Sequence, residues 1–194
     1  MNRLFSLLVA LVLGLAGCQK SKTASASPTT KIDACSLITN DEVQKIEGSP
    51  VKDAKSSETS DGGFRMGQCF YTTEVFNKSV SLAVTQRALG SDNARDPKTF
   101  WKETFGRYSG QAEEKDGDEE KKKSLSNEQE ERGTPPKKIE GLGDEAWWSG
   151  KRIGGALYVL KGNVFIRISV GGPDSEESRI EKSKALAEKA VSRL

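Results

Sequence analysis

Positions 4–15 (LFSLLVALVLGL) form a nearly unbroken apolar run behind a single positive residue, Arg3. As a helix this run would span roughly 18 Å, against a bilayer hydrocarbon core of roughly 30 Å. It is too short for a comfortable transmembrane anchor, and its layout is that of a secretory signal that is removed from the mature chain. The fold must then be built from the residues beyond this run, which the signal would carry into an oxidising compartment.

The run ends in Leu15-Ala16-Gly17-Cys18. These residues resemble the bacterial lipobox, in which small side chains fit the signal peptidase and the cysteine thiol carries a diacylglyceryl group. The resemblance implies residues 1–17 as a lipoprotein signal peptide, cleavage before Cys18, and two or three acyl chains there, enough for stable anchoring. Gln19 stands where an aspartate usually signals inner-membrane retention in enteric-type bacteria. The implied location is therefore the cell envelope, on the periplasmic face of the outer membrane where the host has one. Residues 19–33 (QKSKTASASPTTKID) are rich in Ser, Thr, Lys and Ala. With the acylated cysteine they are expected to be a flexible tether, 18–33, with a root-mean-square length of roughly 20 Å.

Without residues 1–17 the formal charge falls from +2 to +1, and Lys and Arg are interleaved with Asp and Glu. This near-neutral balance argues against nucleic acid as a partner. The chain has no histidine, which excludes Ser-His-Asp and Cys-His catalysis and the common zinc hydrolase sites. Gly171-Gly172-Pro173 lacks the rest of a phosphate-loop pattern and reads as a turn. Asp144 and Glu145 are adjacent on an extended segment, so they point to opposite faces and cannot flank one glycosidic bond. Two cysteines remain, Cys35 and Cys69. In an oxidising compartment they read most simply as one disulfide; a redox pair or a metal site is the alternative, but there is no C-x-x-C. No cofactor or metal is expected.

The folded part is expected to be one domain, 34–194. Thr39 and Glu42 fit a capping box, Ile38 and Val43 a hydrophobic staple, and Gly48 with Pro50 ends the helix. Phe64 to Thr73 reads as a strand, and Val80, Leu82 and Val84 alternate as a half-buried one does. From Asp96-Pro97 a helix carries Phe100, Trp101, Phe105 and Tyr108 at helical spacing, read as core. Residues 109–138 have almost no large apolar side chain and are expected to be a charged, disordered insertion. Asp116-Gly117-Asp118-Glu119-Glu120 within it does not match an EF-hand loop. A hairpin over about 154–161 and 164–170 turns at Lys161-Gly162-Asn163 and places Val164, Ile166, Ile168 and Val170 on one face. A last helix, capped by Asp174 or Ser175, carries the stripe Ile180, Leu186, Ala187, Ala190, Val191 and Leu194.

This order predicts an α+β fold: an antiparallel sheet with helices packed on one face, and strand, strand, helix occurring twice, once on each side of the insertion. The segments Cys35-Ser36-Leu37-Ile38-Thr39, Cys69-Phe70-Tyr71 and Gly141-Leu142-Gly143-Asp144-Glu145-Ala146-Trp147 resemble those of secreted lipoproteins of unknown function, best known from actinobacteria. The likeness covers roughly residues 34–75 and 139–194 and speaks to architecture more than to activity.

For function, the expectation is a non-catalytic binding or assembly module held at a membrane, with an envelope protein or glycan as partner. The alternatives are a spacer without a specific ligand, and an enzyme of unrecognised type. The candidate surface is the pair Trp147 and Trp148 with Lys151 and Arg152. On a strand one indole enters the core and the other faces away, to be covered by another element or exposed as an anchor. The flanking glycines favour exposure, which would make a shallow platform for a sugar ring, a lipid or a protein.

Overall fold

The computed structural model describes residues 30–90, 92–109, 135–150 and 154–194. Among the described residues seven strands form one antiparallel sheet: β1 (Val51–Asp61), β2 (Phe64–Thr73), β3 (Val80–Arg87), β4 (Lys137–Lys138), β5 (Glu145–Gly150), β6 (Gly155–Lys161) and β7 (Val164–Val170), in the order β1-β2-β3-β7-β6-β5-β4. Among the described residues the α-helices are α1 (Asn40–Glu47), α2 (Pro97–Ser109) and α3 (Glu176–Val191). None is long and apolar enough to cross a membrane. The architecture is the expected α+β one.

Alternation along the strands sorts the side chains into two layers. Val80, Leu82 and Val84 of β3, Ile166 and Ile168 of β7, and Trp148 of β5 join α1 and α3 in the main core. Trp147, Leu160 and Phe165 point to the other side, where α2 covers them with Trp101 and Phe105. Helices therefore pack on both faces, against the expectation of one. The cause is the aromatic content of both layers: Phe165 and Trp147 stand where a one-sided sheet would carry polar residues.

The same distribution bears on the expected repeat. Two meanders, each followed by a helix, do meet at the β3–β7 pair. A two-fold axis normal to the sheet would superpose them but would put α2 and α3 on one face. They lie on opposite faces, so the halves are not duplicates related by that axis.

The capping box of Thr39 and Glu42 is present, and Gly48 closes α1 in the left-handed conformation at φ 64°. Ser175, rather than Asp174, caps α3 through Ser178 N. Within the α3 stripe Leu186, Ala187 and Ala190 are buried, while Leu194 is exposed. Strand β1 was not legible, because its run from Lys55 to Asp61 is exposed and polar on both faces. Such an edge is protected against pairing with other chains by its polarity.

Two boundaries also move. Ile32 packs against the main core, and the Gln86 amide receives the incoming backbone from both sides: Ile32 N donates to its Oε1 at 3.0 Å and its Nε2 donates to Thr30 O at 3.1 Å. The expected tether thus docks before residue 33, because it contains one large apolar side chain. At the other boundary Ser109 belongs to α2, and Lys137–Lys138 pair with Trp148 and Trp147 as β4. Residues 110–134, including Asp116 to Glu120, lie outside the described residues.

Glu42 does two jobs. Its carboxylate accepts from Thr39 N at 2.9 Å and takes both terminal nitrogens of Arg193, at 2.7 and 2.8 Å, tying α1 to the end of α3. The hydrogen bond from Arg193, with its charge, holds the Glu42 carboxyl down at about 2, against 4.5 ordinarily. A depressed folded value means stability that is present above about 4.5 and lost as pH falls towards about 2. Glu42→Gln is expected to destabilise the domain by about 1 kcal/mol at neutral pH, a fall in Tm of roughly 2–4 °C. Melts across pH should show this difference from the wild type closing over that window; a constant gap would contradict the assignment. A second bridge joins the same helices: Lys182 Nζ donates to buried Glu47 at 3.1 Å and to Asp174 at 2.6 Å. Burial pushes the Glu47 carboxyl up, with Lys182 opposing the shift.

Candidate functional site

Helix α2 lies across the second face near the end where β7 begins. Phe100 stacks on Phe165 with centroids 6.0 Å apart, Trp101 meets Phe105 at 4.6 Å, and Phe105 meets Tyr158 at 5.5 Å and Trp147 at 6.1 Å. One carboxylate orients both indoles. Glu145 accepts from Trp101 Nε1 and from Trp147 Nε1, each at 2.8 Å, and from Ser109 Oγ at 3.2 Å. Both indole donors are thereby satisfied in a partly buried setting, and the rings are fixed in place.

Between α2 and the sheet these rings leave a cleft of about 360 Å³, with Phe100, Phe105, Tyr108, Tyr158 and Phe165 among its lining and Thr104, Arg107 and Ser149 as its polar groups. A concave, mostly aromatic site with few polar groups is the usual form of a small-molecule pocket, and this volume is at the small end of the range. A larger open trough of about 910 Å³ lies at the turn between β1 and β2. Three of its four charged groups are already matched, Glu58 by Arg65 and Arg95 by Glu103, and the fourth, Asp61, is exposed to solvent, so it makes little electrostatic demand on a ligand. The aromatic cleft is the better candidate.

The segment Gly141 to Trp147 owes its pattern to the fold. Leu142 and Ala146 are in the main core. Gly143 has φ 62°, and a Cβ there would stand 2.5 Å from Leu160 O. Asp144 Oδ2 accepts from Gly162 N at 2.6 Å, closing the β6–β7 turn. Glu145 and Trp147 serve the aromatic layer. Six of the seven positions thus have a structural task in packing or hydrogen bonding, and Gly141 turns the chain at φ 73°.

Cys35 and Cys69 are joined, with Cα atoms 5.0 Å apart. The expected indole platform does not hold: Trp147 and Trp148 are only 3% and 1% exposed, in separate layers on opposite faces. Glycine neighbours argued for exposure, but one of them makes the room that buries an indole. A Cβ at Gly155 would stand 2.3 Å from Cζ2 of Trp148, and Trp147 is covered by Phe105 and Tyr108 of α2. Lys151 and Arg152, and the lipidation candidate Cys18, lie outside the described residues. The cleft residues Tyr158, Phe165 and Arg107 carry no motif of their own. Their signal was the second face of the β6–β7 hairpin, where two aromatic residues occupy positions of the kind that solvent-facing strands give to polar ones.

The fold and cleft define the chain as an α+β protein with a two-layered core and an aromatic site under one helix. No protein-family model, curated protein or solved structure matches it.

Proposed function

We propose that the chain is a lipid-anchored, non-catalytic binding module of the cell envelope, attached through Cys18 and binding its ligand in the aromatic cleft between α2 and the sheet. The observation that carries this reading is the cleft itself, with Glu145 holding the two indoles of its surrounding layer in a fixed orientation. Rigid aromatic walls bind apolar surface at low entropic cost, since two torsions fix each ring. The anchor rests on the apolar run and Leu15-Ala16-Gly17-Cys18, and the envelope location is inferred from it. The partner moves from a protein or glycan on an exposed indole to a small apolar ligand in a cavity.

Two measurements test the two parts. Radiolabelled palmitate should enter the wild-type chain and fail to enter Cys18→Ala; labelling of the variant removes the anchor. For the cleft, the uncharged probe N-phenyl-1-naphthylamine should brighten on binding the chain from Gln19 onward. Tyr108→Ala, at the half-exposed edge of the cleft, should weaken it about three- to tenfold. An unchanged titration for Tyr108→Ala would place the probe elsewhere and sink the cleft as the binding site.

A further inference from the structure

Taking the cleft as the binding site, we infer that its ligand is a small organic anion: an apolar or aromatic body lodged among the rings, with a carboxylate- or sulfonate-type head on Arg167. Arg167 is half-buried on the sheet face beside the cleft. The strand registers place Tyr158 directly opposite it on β6 and Ala83 on β3, with Gln68 of β2 and Ser57 of β1 continuing the row. Directly opposed residues share a face, and past Tyr158 the row runs through Trp147 to Lys138, so it offers Arg167 no carboxylate. Of the two neighbouring rows, one runs through Ser169, Ser81 and Phe70 to Lys55, and the other runs through Thr85, Phe165 and Leu160 to Glu145, whose carboxylate is already taken by Trp101, Trp147 and Ser109.

The guanidinium is only partly used. Arg167 Nε donates to Tyr158 Oη at 3.2 Å, and Tyr158 lines the cleft. Its terminal nitrogens have no acceptor among the described residues. Elsewhere three arginines hold carboxylates, Arg65 to Glu58, Arg95 to Glu103 and Arg193 to Glu42, while Arg179 donates to the backbone carbonyl of Asp174 and Arg87 is exposed. Arg107, on the cleft wall, is the second arginine here with no carboxylate among the described residues, and it lies over Tyr108 at 5.6 Å. A half-buried cation loses hydration and, without a counter-charge, recovers little of it. The half-buried guanidinium of Arg167, with the exposed one of Arg107 on the cleft wall, is complementary to a ligand that supplies negative charge together with apolar bulk, and a guanidinium fork suits a two-oxygen head.

The test compares two probes of nearly the same ring system, anionic 8-anilinonaphthalene-1-sulfonate and neutral N-phenyl-1-naphthylamine. The chain from Gln19 onward is used, because every element among the described residues, the disulfide and both core layers lie within residues 30–194. The sulfonate should bind at least about tenfold more tightly than the neutral probe and be displaced by it. Arg167→Gln should remove about tenfold or more of the sulfonate's affinity and leave the neutral probe unchanged, with Arg107→Gln producing a smaller loss of the same kind. In the wild type, raising salt should weaken the sulfonate alone, an arm that does not depend on any variant folding. Equal affinity for the two probes, indifferent to salt and to Arg167→Gln, overturns the anion proposal and leaves the cleft standing. Failure of both probes to bind removes the cleft reading beneath it.

Discussion

Truncating Trp148 to alanine should destabilise the domain by about 3 to 5 kcal/mol, and Trp147→Ala by about 3 kcal/mol. Trp148 is 1% exposed and lies in the main core against the backbone of Gly155. The void left by its indole has rigid walls, since β5 and β6 are hydrogen-bonded on either side of it. Trp147 sits in the smaller layer beneath α2, and its loss also leaves Glu145 with one donor fewer. That layer is bounded by a single helix that can settle, hence the lower figure. Urea unfolding monitored by circular dichroism measures both. Domains of this size have roughly 5 to 15 kcal/mol in hand, so Trp148→Ala should leave a barely folded protein. A variant of either residue with the wild-type midpoint would contradict its place in a packed layer.

Loss of the disulfide should cost a comparable amount. Cys35 and Cys69 close a loop with a sequence separation of 34, for which the chain-entropy model gives about 3 to 4 kcal/mol. Alanine at both positions is the cleaner test, because Cys69 is fully buried and a serine would bring an unpaired hydroxyl into the core. The bridge joins the short 3-10 turn at Ala34–Ser36 to β2. Its removal should therefore release the entering segment first: Ile32 and Leu37 amides should exchange with solvent far faster, while β6 and β7 keep most of their protection. Exchange that rises uniformly across the sheet would mean that the bridge acts on the whole fold and not on the attachment of its N-terminal segment. Where the chain is anchored through Cys18, as proposed, this attachment would carry any pull from the membrane into the sheet.

How much was legible depends on how local each signal is. The box of Thr39 and Glu42, the turn at Gly162 and the apolar face of β7 are written within a few residues, and each appears as expected. Strand β1 was invisible because its pairing is backbone-to-backbone with β2 and asks almost nothing of its side chains. The residues of the cleft were visible only as separate aromatic positions. Nothing local says that Phe105, Tyr108, Tyr158 and Phe165 line one cavity, since they come from a helix and two strands brought together by the sheet order.

The sequence by itself determined the α+β class, the two cysteines available to pair and the placing of Trp147 and Trp148 on opposite faces, because strand geometry alternates side chains whatever surrounds them. Whether the second face would be bare or covered was decided only in three dimensions. That outcome depends on where α2 comes to rest, and its position is set by long-range contacts: Phe100 on Phe64 and Phe165, and Trp101 hydrogen-bonded to Glu145. The same landing settled that the second indole, which the sequence left to be covered or exposed, is covered, and opened beside it the cleft that no single segment of the chain encodes.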